Sequence, residues 1–285
     1  MEIRSLEHIS TDELYGVFSE AFKDYERTWS RDEFANLLQR RGYVPDLSFG
    51  AFDGSQLVSF TLNALGRHKG ILSAYDNGTG TLKEYRGKGL AKDIFTHSLP
   101  RLQDEGVTRY VLEVLQTNAP AIAVYKAMAF EVSRELCYFV QAAEKVLPMG
   151  RRLPSGYTLR NVPIPTDKDL ADFFDFYPAW QNSSEALLRM PGNFVSIGAF
   201  DKHGNLSGYG CIEPATGDIP QLAVHKEHRW QGVGSCVLGE LLKRNQSGQV
   251  RCINTEANCE SINGFLQHHN IPVKGKQYEM IRDIG

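Results

Sequence analysis

The residues best suited to chemistry lie together in Arg86-Gly87-Lys88-Gly89-Leu90-Ala91. Just ahead of them, Thr79 to Leu82 have the short, β-branched, uncharged character of a strand end, while Leu90, Ile94, Leu99 and Leu102 follow at near-helical spacing. A strand that turns into a helix through two glycines leaves backbone N–H groups open at the helix N-terminus. The partial positive charge of that helix end, with Arg86, Lys88 and Lys92 nearby, favours an anion, so the stretch reads as a pyrophosphate-binding turn. Two other phosphate loops are excluded. A P-loop needs Gly, four residues, then Gly-Lys-Ser/Thr, but here Gly87-Lys88 is followed by Gly89 and Leu82 stands where the first glycine belongs. The dinucleotide fingerprint Gly-x-Gly-x-x-Gly fails because Gly78-Thr79-Gly80 runs on to Lys83. The competing reading is a glycine-rich helix start with no ligand.

The turn recurs half a chain later, which favours a ligand. Arg86-x-x-Gly89-x-Ala91 aligns with Arg229-x-x-Gly232-x-Gly234, and Lys83-Glu84 with Lys226-Glu227. The flanks repeat as well: Ser48 to Asp53 corresponds to Ser196 to Asp201, and Asn118 with Ala121-Ile122 to Asn258 with Ser261-Ile262. The chain therefore reads as two copies of one unit, 1–141 and 157–285. They are joined by a linker at 142–156 marked by Pro148, Gly150, Arg151, Arg152, Pro154 and Gly156.

In order, a strand, Arg-x-x-Gly-x-Gly/Ala, a helix, the apolar strand Tyr110 to Leu115, Asn118, and a short helix bearing Tyr125 and ending near Phe130 resemble the GCN5-related N-acetyltransferases. The resemblance is strongest at 76–130 and 219–265. It implies an α/β fold of two tandem acyl-CoA N-acyltransferase domains, each a mixed, mostly antiparallel sheet flanked by helices, with a splayed pair of parallel strands. It implies acetyl-CoA as co-substrate, with its pyrophosphate on the turn formed by Arg86, Gly87, Lys88, Gly89, Leu90 and Ala91. The acyl-pantetheine arm would lie between the splayed strands, beside Thr81 and Leu82, and strand N–H groups would stabilise the negative charge that develops on the thioester oxygen. Asn118 would bond the pantetheine arm, unless it is simply a helix N-cap. Tyr125 would protonate the departing thiolate, unless it is a core tyrosine with a satisfied hydroxyl.

The attacking amine must also lose a proton. Glu113 interrupts an apolar strand and so demands an explanation: a general base, a residue facing an open cleft, or a partner for an arginine. Asp76 is a second candidate for the base. In the second copy Phe265 stands where the first has Tyr125, and Trp230-Gln231 where it has Gly87-Lys88. Chemistry is therefore expected in the N-terminal copy. The activity implied is transfer of an acetyl group to a primary amine, small-molecule or peptide, by direct attack in a ternary complex, since no cysteine resembles an acyl carrier. A non-catalytic acyl-CoA-binding sensor and catalysis by the second copy are the competing readings.

The elements that must position these groups follow the family order. A strand at Glu2 to Leu6 precedes a helix from Thr11 to about Phe22 and another after Ser30; strands follow at 47–53 and 56–65. The segment Phe22 to Trp29 between the helices reads either as a substrate-contacting loop or as an aromatic cap over the core. In the second copy helices are expected from Asp167 onward. The bulk composition fits: 285 residues accommodate two domains, and a net charge of -3 gives no footprint for nucleic acid or a membrane surface. No apolar run approaches a membrane span, and the N-terminus lacks a signal-peptide core, so a cytoplasmic location is expected. Five cysteines without zinc-knuckle spacing read as reduced thiols. His225 and His228 lack a third ligand at a suggestive spacing, so no metal is expected.

Overall fold

Strand order, rather than helix content, sets the position of the candidate site. A computed structural model describes every residue except 26–27, 148–152 and 167. Two compact units emerge, Met1–Ser133 with Glu279–Gly285, and Arg134–Tyr278. The first contains β1 (Glu2–Ser5), α1 (Thr11–Ala21), α2 (Arg31–Arg41), β2 (Phe49–Asp53), β3 (Gln56–His68), β4 (Ile71–Thr81), α3 (Leu90–Asp104), β5 (Arg109–Leu115) and α4 (Ala119–Ala127). It also holds the start of β6 (Glu131–Ala142). The second carries the rest of β6, then β7 (Thr158–Asn161), α5 (Ser184–Leu188), β8 (Val195–Phe200), β9 (Leu206–Glu213) and β10 (Asp218–Val224). After these come α6 (Val233–Leu242), β11 (Gln249–Glu256), α7 (Glu260–His268) and β12 (Val273–Asp283).

In the first unit the strands run β1-β2-β3-β4-β5, with the end of β12 beside β5. Every pair from β1 to β4 is antiparallel, whereas β4 and β5 are parallel. The helices begin where their sequences say they should. Ser10 caps α1 by accepting from the Glu13 N–H, and Ser30 and Glu33 form a reciprocal capping box at α2, which ends on Gly42 in the left-handed region. Leu14, Phe18 and Ala21 of α1 and Phe34 and Leu38 of α2 fall on one face of each helix and are buried against Phe60 and Leu62 of β3. At α1's C-terminal end Phe22 meets Phe18 at a tilt with ring centroids 4.7 Å apart, and Trp29 meets Phe18 edge-on at 5.6 Å, so these two aromatics cap the core. Glu26 and Arg27 of that segment lie outside the described residues.

The last residues of the chain belong to this unit. Ile284 N–H donates to the Thr108 carbonyl, Arg109 pairs with Asp283 at 2.9 Å, and Ser133 donates to the buried Glu279 at 2.7 Å. The second unit therefore divides from the first at Ser133/Arg134, ahead of the expected 141, and gives up its last seven residues, Glu279–Gly285. A third of the expected linker, including Pro148, Gly150, Arg151 and Arg152, lies outside the described residues.

The second unit orders its strands β6-β11-β10-β9-β8-β7, with β10 and β11 parallel and the others antiparallel. One sequence expectation fails here. Asp167 is outside the described residues, and 168–179 form turns and irregular chain instead of helices. The first α-helix after β7 is the short α5. The aromatics of this stretch are used for packing: Phe173 is buried against Tyr209 and Phe194. Among the described residues no helix is long and apolar enough to cross a membrane.

Candidate active site

The parallel pair β4/β5 keeps its register only from Ser73↔Arg109 to Tyr75↔Val111. Beyond Tyr75 the paired register with β5 stops, while β4 stays paired to β3 as far as Thr81. A bulge accompanies the change. Leu62 pairs with Gly78 and Asn63 with Asp76, so Asn77 is the extra residue. Its side chain is only 4% exposed, and neither of its polar atoms has a hydrogen-bond partner. An orphaned buried amide at the point where parallel strands part is a place for a polar ligand group.

Asp76 sits next to this bulge and gathers the chemistry. Its Oδ1 accepts from Gly78 N–H at 2.9 Å; its Oδ2 accepts from the Thr79 hydroxyl at 2.9 Å and from the Tyr125 hydroxyl at 3.1 Å. Burial pushes the Asp76 carboxyl above its ordinary range, and these three donors and Arg41 only partly offset it. Burial, reinforced by the Asp76 charge, likewise holds the Tyr125 phenol well above its usual value. Tyr125 lies on α4 with its ring edge-on to Phe130. Sequence reasoning singled out Tyr125 and carried Asp76 as a second base, yet gave no sign that the two touch. Thr79 was missed altogether; its one signal was its place three residues after Asp76 on a β-branched strand end.

Glu113 is engaged otherwise. Its Oε2 accepts from the hydroxyl of Tyr75, a buried residue of β4 whose phenol burial also raises. The charged interruption of β5 is thus met by a tyrosine hydroxyl on the neighbouring strand. Asn118 caps α4, accepting from Ala121 N–H at 3.3 Å, and its amide donates to the Tyr25 hydroxyl at 3.0 Å. Tyr25, in the aromatic segment between α1 and α2, is the contact that sequence reasoning did not anticipate. Asn118→Ala removes the cap and is expected to lower stability by about 1 kcal/mol, measured by denaturant unfolding.

The glycine turn has the expected form. Gly87 and Gly89 have φ of 74° and 81°, a region open to glycine and strained for other residues, and a Cβ at either would meet nothing within 4 Å. Gly89 is the N-cap of α3 and offers no side-chain cap. In this unit α1, α2 and α4 all have one. The first turn of α3, Leu90, Ala91 and Lys92, therefore presents N–H groups without a capping oxygen. Arg86 itself reaches away from the turn: its guanidinium donates to the carbonyls of Thr81 at 3.1 Å and Ala21 at 2.9 Å, tying the end of β4 to the end of α1. The Thr81 hydroxyl pairs with Ser59 at 2.7 Å, and Leu82 is buried in the core. Lys88 is exposed, with its ammonium 4.6 Å from the Tyr85 ring centroid.

Residues 13–130, which hold all of these groups, match the acetyltransferase (GNAT) family. The first unit is a GNAT domain. Curated relatives cover parts of the chain. An N-alpha-acetyltransferase from Arabidopsis thaliana is 26% identical over 95 residues, 33% of this chain and 50% of the relative. An acetyltransferase from Sodalis glossinidius is 25% identical over 153 residues, 54% of this chain and 96% of the relative. The chain thus spans only half the length of the first of these relatives. A solved tandem GNAT protein from the clavulanic acid biosynthesis pathway matches 100% of this chain and 98% of its own, with a TM-score of 0.75 at 16% identity. The fold is therefore that of two tandem GNAT domains.

The second unit keeps the frame and loses the groups. Its parallel strands pair at Asp218↔Arg251, and Arg229 ties the Val224 and Phe173 carbonyls as Arg86 ties Thr81 and Ala21. Counting from the two arginines, Asp76 and Thr79 correspond to Ile219 and Leu222; counting from the two asparagines, Glu113 and Tyr125 correspond to Ile253 and Phe265. Ile219, Leu222 and Ile253 instead line a cavity of about 40 Å³ together with Phe174 and Ile262. Phe265 packs over Gly234. Gly232 keeps its φ of 89°, and Trp230, at the position of Gly87, is forced to a φ of 64° with 96% of its surface exposed.

Proposed function

We propose that the chain is an acetyl-CoA-dependent N-acetyltransferase acting on a primary amine, with the chemistry in its first domain. The observation that carries this reading is the 3.1 Å contact between Tyr125 and Asp76 beside the parting of β4 and β5. An acyl-CoA suits the residues there: the uncapped turn of α3 for its pyrophosphate and the orphaned Asn77 amide for a polar group of the arm.

Asp76 and Tyr125 then divide the proton work. As the amine nitrogen forms its bond to the acetyl carbon, Asp76 takes the N–H proton, a task for which a carboxylate of raised pKa is better matched than an ordinary one. When the carbon–sulfur bond breaks, the Tyr125 O–H proton passes to the thiolate, and protonated Asp76 restores the tyrosine through their shared hydrogen bond. Proton count closes: one N–H is lost and one S–H is made. This matters because a phenol held well above pKa 10 is a poor donor to a thiolate of pKa about 8.5 unless it is replenished at once. Glu113 accepts from the Tyr75 hydroxyl and so ties β5 to β4 beside the site.

Release of CoA thiol is the direct test. The intact chain is given acetyl-CoA with a panel of amines: polyamines, amino acids, aminoglycosides and lysine peptides. Thiol release dependent on at least one amine is expected. Tight acetyl-CoA binding with no release across the panel would instead make the chain a sensor.

A further inference from the structure

The second domain carries a set of groups for which nothing above has a use. In the first domain the three-residue turn after β4 is Lys83–Tyr85, preceded by the buried Leu82. In the second, the same turn after β10 is Lys226–His228, preceded by His225. Two apolar or aromatic positions, Leu82 and Tyr85, thus become His225 and His228, while Glu84 corresponds to Glu227. The turn brings all three side chains together: His225, Glu227 and His228 each place a ligand atom within 4.8 Å of the others. Sequence spacing gave two histidines and no third ligand; the third is the glutamate between them.

The surroundings fix one of these histidines for a metal. Gln231 donates its amide N–H to the Glu227 carbonyl at 3.1 Å, which turns its Oε1 toward Tyr157. The Tyr157 hydroxyl spends its one proton on that Oε1, at 3.0 Å. The Tyr157 oxygen, 2.7 Å from His228 Nδ1, must then accept, so the His228 proton sits on Nδ1 and the Nε2 lone pair is left bare. This is the outer-shell arrangement that orients a metal-bound imidazole. The Tyr157 ring also meets His228 edge-on, and Phe173 does the same to His225, which restricts both imidazoles. His225 Nδ1 receives only a long 3.4 Å contact from Glu227 N–H, which metal binding can replace. Glu227 is exposed, so its carboxylate swings in without losing a buried partner. In a tetrahedral site with bonds of about 2.0–2.1 Å, ligand atoms stand roughly 3.4 Å apart, so the set needs only side-chain rotation to close.

We infer that His225, Glu227 and His228 form a binding site for a zinc-class divalent cation, held by Tyr157 and Gln231 from behind and with a coordination position left open. Two imidazoles and one carboxylate select zinc, cobalt, nickel or copper over magnesium and calcium. The first domain, with Leu82 and Tyr85 at the histidine positions, is the built-in control that the fold alone does not create this site.

The test uses the full chain, stripped with chelator and titrated with zinc chloride by calorimetry and with cobalt(II) by visible absorption. One equivalent should bind, with cobalt bands of a low-coordinate nitrogen and oxygen site and no thiolate charge-transfer band. His225→Ala/His228→Ala should abolish binding, and Glu227→Gln, at an exposed position, should weaken it at least about tenfold. Tyr157→Phe replaces no metal ligand but removes the oxygen that holds His228 from behind, and should weaken binding about 10–100-fold. Absence of binding to the wild-type chain, unchanged binding in the double variant, or a thiolate band that assigns the metal to cysteine would each overturn the inference. Folding of each variant is checked by circular dichroism, and Glu227→Gln remains decisive if the double variant fails to fold.

Discussion

Tyr125→Phe is expected to lower kcat by roughly 10²–10⁴ while leaving acetyl-CoA affinity unchanged, because general-acid assistance is lost and binding is not. The phenol donates to Asp76 at 3.1 Å, and the ring keeps its edge-on packing on Phe130 when the hydroxyl is removed. The variant therefore folds, and calorimetry of acetyl-CoA binding beside steady-state kinetics separates the two effects. An acyl donor with a leaving group far more acidic than a CoA thiol should recover much of the loss, since it departs without a proton. A core tyrosine with no chemical role would give a kcat within about threefold of wild type and no such recovery.

Asp76→Asn carries the second large effect. Burial raises the carboxyl above the ordinary 3.8, so the ionised base that the mechanism needs forms only as pH rises through that elevated value. In the wild-type protein kcat/KM is expected to climb with pH along an acid limb whose midpoint lies above 3.8. Asp76→Asn should cost about 10²–10⁴ in kcat/KM and abolish that limb. The sign of the stability effect is opposite. A carboxyl whose folded pKa is raised contributes its favourable share in the protonated state, and that share is lost as pH rises through the folded pKa. Above it the wild-type protein carries a buried charge that Asn lacks, so the variant should melt no lower than wild type there. Reduced activity without reduced stability is the combination expected of a catalytic group.

How much of this could be read in advance depended on whether the signal was local. The glycine turn was legible because Gly87 and Gly89 both need φ near 80°, and few other residues take that conformation. The cap at Asn118 was legible because it too is local, acting on an N–H three residues away. Asp76 and Tyr125 stand 49 residues apart and meet only because the chain runs through α3 and β5 before α4 returns Tyr125 to β4. No periodicity records such a contact. Glu113 was visible as an anomaly, but its partner Tyr75 lies on another strand. The return of Glu279–Gly285 to the first unit was likewise hidden, since a terminal strand looks the same whichever sheet it joins. In 168–179 the order of elements in the first copy suggested helices, and tertiary burial of Phe173 won over that pattern. Trp230 shows the converse. Its residue type argues against a left-handed turn, yet the frame that Arg229 ties down holds it at a φ of 64°.

The central claim is that the first domain alone holds the acyl donor for chemistry, and matched glycine variants test it most directly. Gly89 and Gly232 are both N-cap glycines in the left-handed region, with φ of 81° and 89°, so a glutamate at either imposes the same backbone strain and brings the same negative charge to the helix end. Calorimetric titration of acetyl-CoA should show binding to wild type and to Gly232→Glu, and its loss in Gly89→Glu. Binding that survives in Gly89→Glu and disappears in Gly232→Glu would contradict the claim and place the donor in the second domain.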